Sequence, residues 1–242
     1  MRYHQRNTLR GVFYGIDFAR RIILNLLFWG LIVFVIILLV PPRAQRVKDG
    51  SILVLNPYGI LVDAYTIPTS YQGIPVGGYL DETLLDDLIT SLDAAKSDER
   101  ISGVWLRLDD MVHAGPSAAG ELTDSILQFR KSGKAVVASA DTFDTSRYRI
   151  ASAADTVIVD RLGEVFPTGY GYWRAYYGEG FDRLGAKANL FRSGESKTGA
   201  ENYVLGAMSE AARRDEERLL GDLWTTWIDS VAVNRGIEPE KL

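Results

Sequence analysis

The hydrophobic pattern divides the chain into an apolar N-terminal run and a longer, periodic remainder. Residues 22–40 carry no charge, and Asn25 is their only strongly polar member. Coiled as a helix, such a run crosses roughly 30 Å of hydrocarbon. Pro41 and Pro42 end it. A cleaved signal peptide has a shorter apolar core, about 7–15 residues, followed by a small-x-small site. Val40-Pro41-Pro42-Arg43 offers no such site, so the pattern predicts a retained anchor. Arg2, Arg6, Arg10, Arg20 and Arg21 precede the span, against Arg43, Arg46 and Lys48 after it. This excess predicts that residues 1–21 are cytoplasmic and that everything past the anchor lies on the far side of the membrane.

Residues 41–50 read as a polar linker and 51–242 as one domain. The run Ser51-Ile52-Leu53-Val54-Leu55 predicts a buried strand. Residues 58–79, rich in Gly, Pro and Tyr, predict a long loop or extended arm. From Asp81 the period becomes helical, with Leu84, Leu85, Leu88 and Leu92 on one face. Strands follow at 101–108, 135–138, 156–159 and 189–192. Helices are expected at 117–131 (stopped by Gly133), 148–153 and 172–184 (stopped by Gly185). The last helix is the clearest. Leu219, Leu220, Leu223, Trp224, Trp227, Ile228 and Val231 form its apolar stripe, Ser209 caps it and Gly236 ends it. Short apolar strands alternating with helices predict α/β layers on a mostly parallel sheet.

Composition narrows the chemistry. Of 242 residues 47% are hydrophobic and 24% charged, which fits a folded domain rather than a disordered chain. A net charge of −4 gives no basic footprint for nucleic acid. There is no cysteine, which excludes disulfides, zinc thiolates and a cysteine nucleophile. His4 and His113 are the only imidazoles, too few for a multi-histidine metal site. No phosphate-cradling Gly-x-x-x-x-Gly-Lys-Ser/Thr and no Gly-x-Ser-x-Gly elbow occurs, so no cofactor is expected. Asp86 and Asp87 read as solvated on a helix's polar face. Asp109 and Asp110 follow a strand end, where α/β sites often lie. Tyr170, Tyr172, Trp173, Tyr176 and Tyr177 read as core or a subunit contact rather than a binding surface. Lys197, in Arg192-Ser193-Gly194-Glu195-Ser196-Lys197-Thr198-Gly199-Ala200-Glu201, reads by itself as a solvated loop lysine.

Several blocks carry a resemblance over residues 99–242. They are Arg130-Lys131-Ser132-Gly133-Lys134, Tyr148-Arg149-Ile150-Ala151-Ser152-Ala153-Ala154-Asp155, Phe191-Arg192-Ser193-Gly194 with Lys197, Met208-Ser209-Glu210-Ala211-Ala212-Arg213, Leu223-Trp224, and Val231-Ala232-Val233-Asn234-Arg235. In this order they resemble the N-terminal half of the protease IV type of signal peptide peptidase, in the S49 serine peptidase family. The resemblance implies a ClpP/crotonase-like layered fold of repeated βα units behind one N-terminal transmembrane helix. It also implies a Ser–Lys dyad, with Lys197 at the position of the general base. Further implications are apolar signal-peptide remnants as substrate, homo-oligomeric assembly, and a bacterial inner-membrane location with the soluble domain facing the periplasm.

The serine does not follow the pattern. Single-domain relatives place it before a Gly-Gly-Tyr-like turn, where this chain reads Asp144-Thr145-Ser146-Arg147-Tyr148. Ser146 falls one residue from the nucleophile's place, and no Gly-Gly follows it. An Asn-Ser-Pro-Gly-Gly-like oxyanion loop is replaced by Asp109-Asp110-Met111-Val112-His113-Ala114-Gly115-Pro116. The expectation is therefore a chain that contributes the lysine, with its serine in a C-terminal half that this chain lacks. A catalytically inactive anchored scaffold of the same fold is the alternative. A CoA-handling crotonase-like enzyme ranks last, since nothing in the sequence marks a CoA site.

Overall fold

The computed structural model describes residues 4–39, 47–65, 70–71, 74–75, 81–171, 173–191, 193–194 and 197–242. Arg2, Val40, Pro41, Pro42, Arg43, Arg46, Tyr172, Arg192, Glu195 and Ser196, all invoked above, lie outside the described residues. So do residues 41–46 of the expected linker and residues 66–69, 72–73 and 76–79 of the expected arm. The chain forms two compact units, Met1–Val47 and Lys48–Leu242.

Within the first unit the described residues include one helix, α1 (His4–Leu39). Its segment Asp17–Ile37, with mean hydropathy 2.1, is long and apolar enough to cross a membrane. At its start Asp17 pairs with Arg20 at 2.6 Å and Arg21 at 2.8 Å, one carboxylate against two guanidiniums, so a net positive charge remains just before the uncharged run that begins at Ile22.

The second unit runs β1 (Ser51–Leu55), β2 (Gly59–Val62), a short antiparallel ribbon β3 (Ser70–Tyr71) and β4 (Ile74–Pro75), then β5 (Glu82–Leu84) and α2 (Leu85–Ser97). There follow β6 (Ile101–Arg107), β7 (Met111–Ala114), α3 (Pro116–Arg130), β8 (Ala135–Phe143), α4 (Thr145–Ser152), β9 (Thr156–Val165), α5 (Gly178–Arg183) and α6 (Glu210–Arg235). A four-stranded parallel sheet has the order β1-β6-β8-β9, and a three-stranded parallel sheet the order β5-β2-β7. This is the expected α/β architecture of βα units.

Register explains where the core sits. Leu53 pairs with Val104 and Leu55 with Leu106. Val104 then pairs with Val136 and Leu106 with Ala138, and Ala138 with Val157. Because side chains alternate along a strand, these rows share one face. They pack against Leu88 and Leu92 of α2 and Leu122, Ile126 and Phe129 of α3 in one continuous core.

Three expectations fail. Residues 58–79 are not all loop, since β2 and the ribbon lie inside them. β2 exists because Gly59 lets two backbones approach closely. Its φ is +65°, and a Cβ there would stand 1.7 Å from the Asp81 carbonyl oxygen. Among the described residues of 172–184 only α5 is helical; just before it the Tyr177 amide donates to the Asn202 carbonyl at 2.7 Å, a long-range bond in place of a helical one. Residues 189–191 form no strand, as no neighbouring edge pairs with them.

The blocks behind the resemblance turn out to be clips. Arg130 donates to the Asp155 carboxylate (Nε to Oδ1 2.8 Å) and to the Ala153 carbonyl, while Asp155 Oδ2 accepts the Val136 amide at 2.8 Å. One ion pair thus ties the end of α3, the start of β8 and the turn after α4. The Lys134 amine donates to the Ala95 and Asp98 carbonyls, both at 2.7 Å, satisfying orphan groups at the end of α2. Asn234 donates to Ser152 and Arg235 to the Ala154 carbonyl, fastening α6 to α4.

Candidate active site

Two places matter: the N-terminus of α4, where a single-domain relative would hold its serine, and the turn that bears Lys197. The first is fully committed to structure. Asp144 is the N-cap of α4, its Oδ1 accepting the Arg147 amide at 2.8 Å. The same oxygen accepts the Ser146 hydroxyl at 2.9 Å, and Ser146 is buried. A nucleophile needs a base on its hydroxyl; here the proton points at a capping carboxylate. The neighbouring Thr145 Oγ1 accepts the Gly169 amide at 3.1 Å, and the Thr145 carbonyl accepts the Trp227 indole at 2.7 Å. A cavity of about 140 Å³ remains, lined by His113, Asp144, Ser146, Thr168 and Tyr170 among others.

The turn after β6 is equally occupied. Arg147 Nε donates to the Met111 carbonyl at 2.8 Å, Nη1 to Thr142 at 3.1 Å, and Nη2 to the carbonyls of Asp109 (3.3 Å) and Met111. An oxyanion hole needs N–H donors aimed at developing negative charge. This turn instead presents carbonyls to a guanidinium. The acidic pair is structural too: Asp109 accepts the Asp141 amide at 2.8 Å, and Asp110 accepts the Asn56 side-chain amide at 3.0 Å. Asp86 and Asp87 are exposed on α2, as their polar-face spacing predicts.

Lys197 lies in irregular backbone after α5, exposed, with no hydrogen bond or ion pair among the described residues. Its turn is closed one residue later, where the Glu201 amide donates to the Thr198 carbonyl at 3.0 Å. Glu201 begins a short 3₁₀ turn (Glu201–Tyr203) and is buried. Its Oε1 accepts the Tyr176 hydroxyl at 3.0 Å and the Ser209 amide at 3.2 Å; its Oε2 accepts the Ser209 hydroxyl at 2.6 Å. Burial raises its carboxyl pKa, but the Ser209 and Tyr176 bonds outweigh that, and the net shift is downward. Burial and then the bond to Glu201 push the Tyr176 phenol up. The aromatic group therefore splits. Tyr176 anchors, Tyr177 stacks on Tyr203 at 6.0 Å, and Trp173 is exposed. No described hydrogen bond links Lys197 to Ser146, and among the described residues no group of three Asp, Glu or His side chains is placed to hold a metal ion.

Sequence reasoning missed Glu201 and Arg147. Each sat inside a quoted segment as one more surface-type charge. The available signal for Glu201 was its place between the lysine and the capping Ser209.

Comparison with known proteins points to one family. The peptidase family S49 model matches residues 128–242, which contain α4, Lys197, Glu201 and α6. This part of the chain is similar to peptidase family S49. It is 27% identical over 240 residues to Protease 4 of Salmonella typhi, covering 94% of this chain and 38% of that protein. Against Protease 4 of Haemophilus influenzae the identity is 25% over 233 residues, with 93% and 38% covered. The chloroplastic serine protease SPPA of Arabidopsis thaliana is 24% identical over 196 residues, covering 81% and 27%. The chain thus spans about two fifths of the length of the bacterial S49 relatives it matches.

Proposed function

We propose that this chain is the lysine-bearing half of a membrane-anchored Ser–Lys endopeptidase that degrades apolar peptides, cleaved signal peptides foremost. The observation that carries the division of labour is the α4 N-terminus: the one serine near the family's nucleophile position is buried and donates to its own helix cap. The nucleophile then comes from sequence outside these residues, and this chain supplies Lys197 as base. A free lysine near pKa 10.4 is protonated at neutral pH and accepts no proton. Lys197 is exposed here, so the burial that would neutralise it comes from the serine-bearing half closing over the turn. In that closed site the amine takes the serine's proton as the hydroxyl attacks the peptide carbonyl, then returns it to the leaving amine.

The membrane-spanning length of α1 supports a retained anchor, and the arginine excess before residue 22 supports an outward-facing second unit. Leu162, Phe166, Trp173, Leu184 and Phe191 are each exposed, and apolar side chains of this size are what homo-oligomeric assembly would cover.

The test is peptidase activity of the full-length protein with Lys197→Ala and Lys197→Arg. Both abolish turnover while the fold survives, because a guanidinium does not deprotonate in the accessible range. Activity retained in Lys197→Arg rules out the base role. A wild-type full-length protein that hydrolyses nothing points instead to the inactive scaffold.

A further inference from the structure

We propose that Glu201 is the positioning residue of the Lys197 turn, a buried carboxylate that fixes where the lysine amine stands by bolting its turn to α6 and Tyr176. The proposal rests on the reading of Lys197 as general base.

Three observations lead to it. Glu201 is only 1% exposed, four residues past a lysine that is itself exposed. No side chain from Lys197 to Ala200 makes a hydrogen bond among the described residues, so Glu201 is the first fixed point after the lysine. That point is fixed to the body of the domain. Ser209, which gives Glu201 two bonds, is the N-cap of the 26-residue α6, its Oγ also accepting the Ala212 amide at 3.2 Å. The helix is held in turn by Trp227, Asn234 and Arg235 against α4.

The charge is more than packing requires. Ser209 caps α6 by itself, and an apolar side chain of similar volume often fills a buried site at least as stably as an ion. A carboxylate adds direction: three hydrogen bonds at 2.6–3.2 Å from two elements define one position and one orientation. The positive end of α6 and the Arg174 guanidinium favour its ionised form. The groups facing it are Tyr176, Arg174 and Ser209. The backbone passes the constraint on, since the Glu201 amide closes the turn on Thr198 and its carbonyl accepts the amides of Val204 (3.0 Å) and Leu205 (2.8 Å).

A base displaced by about 1 Å loses on the order of 100-fold in rate. A base whose turn is loosened is also more hydrated, so its pKa rises and the acid limb of the pH–rate profile moves to higher pH. The experiment compares wild type, Glu201→Gln, Ser209→Ala and Lys197→Ala in the full-length protein. It reads kcat, KM, the pH profile of kcat/KM and thermal stability. Glu201→Gln keeps acceptors for Tyr176 and the Ser209 amide, so it folds. The expected result is a roughly 10–100-fold fall in kcat with KM little changed, and an acid limb shifted upward. Ser209→Ala shifts the limb the same way by less. An acid limb that stays in place in both variants, whatever happens to kcat or stability, shows a purely structural role and overturns the proposal. Lys197→Ala with full activity marks a different failure, that of the general-base reading itself.

Discussion

Trp227 is the rivet between α6 and the α4 end of the domain, and truncating it measures how firmly the Lys197 side is joined to the core. The ring is 2% exposed, stacks on Trp224 at 4.8 Å and 6°, and donates its indole N–H to the Thr145 carbonyl at 2.7 Å. Trp227→Phe keeps most of the ring and removes the donor. The lost hydrogen bond is worth about 1 kcal/mol. The missing part of the indole, about 40 Å² of apolar surface at 25 cal/mol per Å², adds about 1 kcal/mol. The expected loss is about 2 kcal/mol, or roughly 4–8 °C in the melting temperature of a domain this size. Trp227→Ala removes the whole contact and should cost about 3–5 kcal/mol. Thermal and urea unfolding of the detergent-solubilised chain, followed by near-UV circular dichroism, measures both. A Phe variant as stable as wild type would refute the hydrogen-bond contribution. An Ala variant equal to Phe would refute the packing contribution.

Gly59→Ala should destabilise the domain by roughly 2–4 kcal/mol, because it combines a φ of +65° with a Cβ 1.7 Å from the Asp81 carbonyl oxygen; a urea midpoint unchanged from wild type would contradict the close approach. Asp98 is held at about 2 by the Arg100 side-chain and backbone hydrogen bonds, below its ordinary 3.8. A depressed carboxylate stabilises above its unfolded pKa, so its contribution is present at pH 5 and fades as the pH falls from about 4 to about 2. Arg100→Ala should flatten the pH dependence of the urea midpoint in that window, and an identical slope would contradict it.

The parts of this fold legible in the sequence are those fixed locally. The α6 boundaries follow from Ser209 and Gly236, whose φ of +64° is the left-handed stop a glycine provides. The main-sheet strands follow from continuous apolar runs, the mark of strands covered on both faces; in the structure one face is covered, and Ile52, Val54, Trp105 and Ile158 are exposed on the other. The small sheet was not legible. β2 and β5 are four and three residues long, and their pairing is decided by Gly59 and by Thr83 Oγ1, which accepts the Tyr58 amide at 3.0 Å and donates to its carbonyl at 2.8 Å. These contacts span 25 residues, beyond any period. At the site, Lys197 is found by position in a family pattern. Glu201 and Arg147 are found only once burial and partners are known, because one charged residue type serves as solvated surface, clip or buried anchor. Ser146 shows the converse. Its type and near-position suggest chemistry, while its hydroxyl donates to the Asp144 carboxylate that caps α4.

The most direct test of the central claim, that this chain supplies the base and another segment the nucleophile, is covalent labelling of the full-length protein with a fluorophosphonate probe, followed by mass spectrometry of the modified peptide. The account predicts a labelled serine outside residues 1–242, with labelling lost in Lys197→Ala and unchanged in Ser146→Ala. Labelling of Ser146, or of any other serine within residues 1–242, would contradict it.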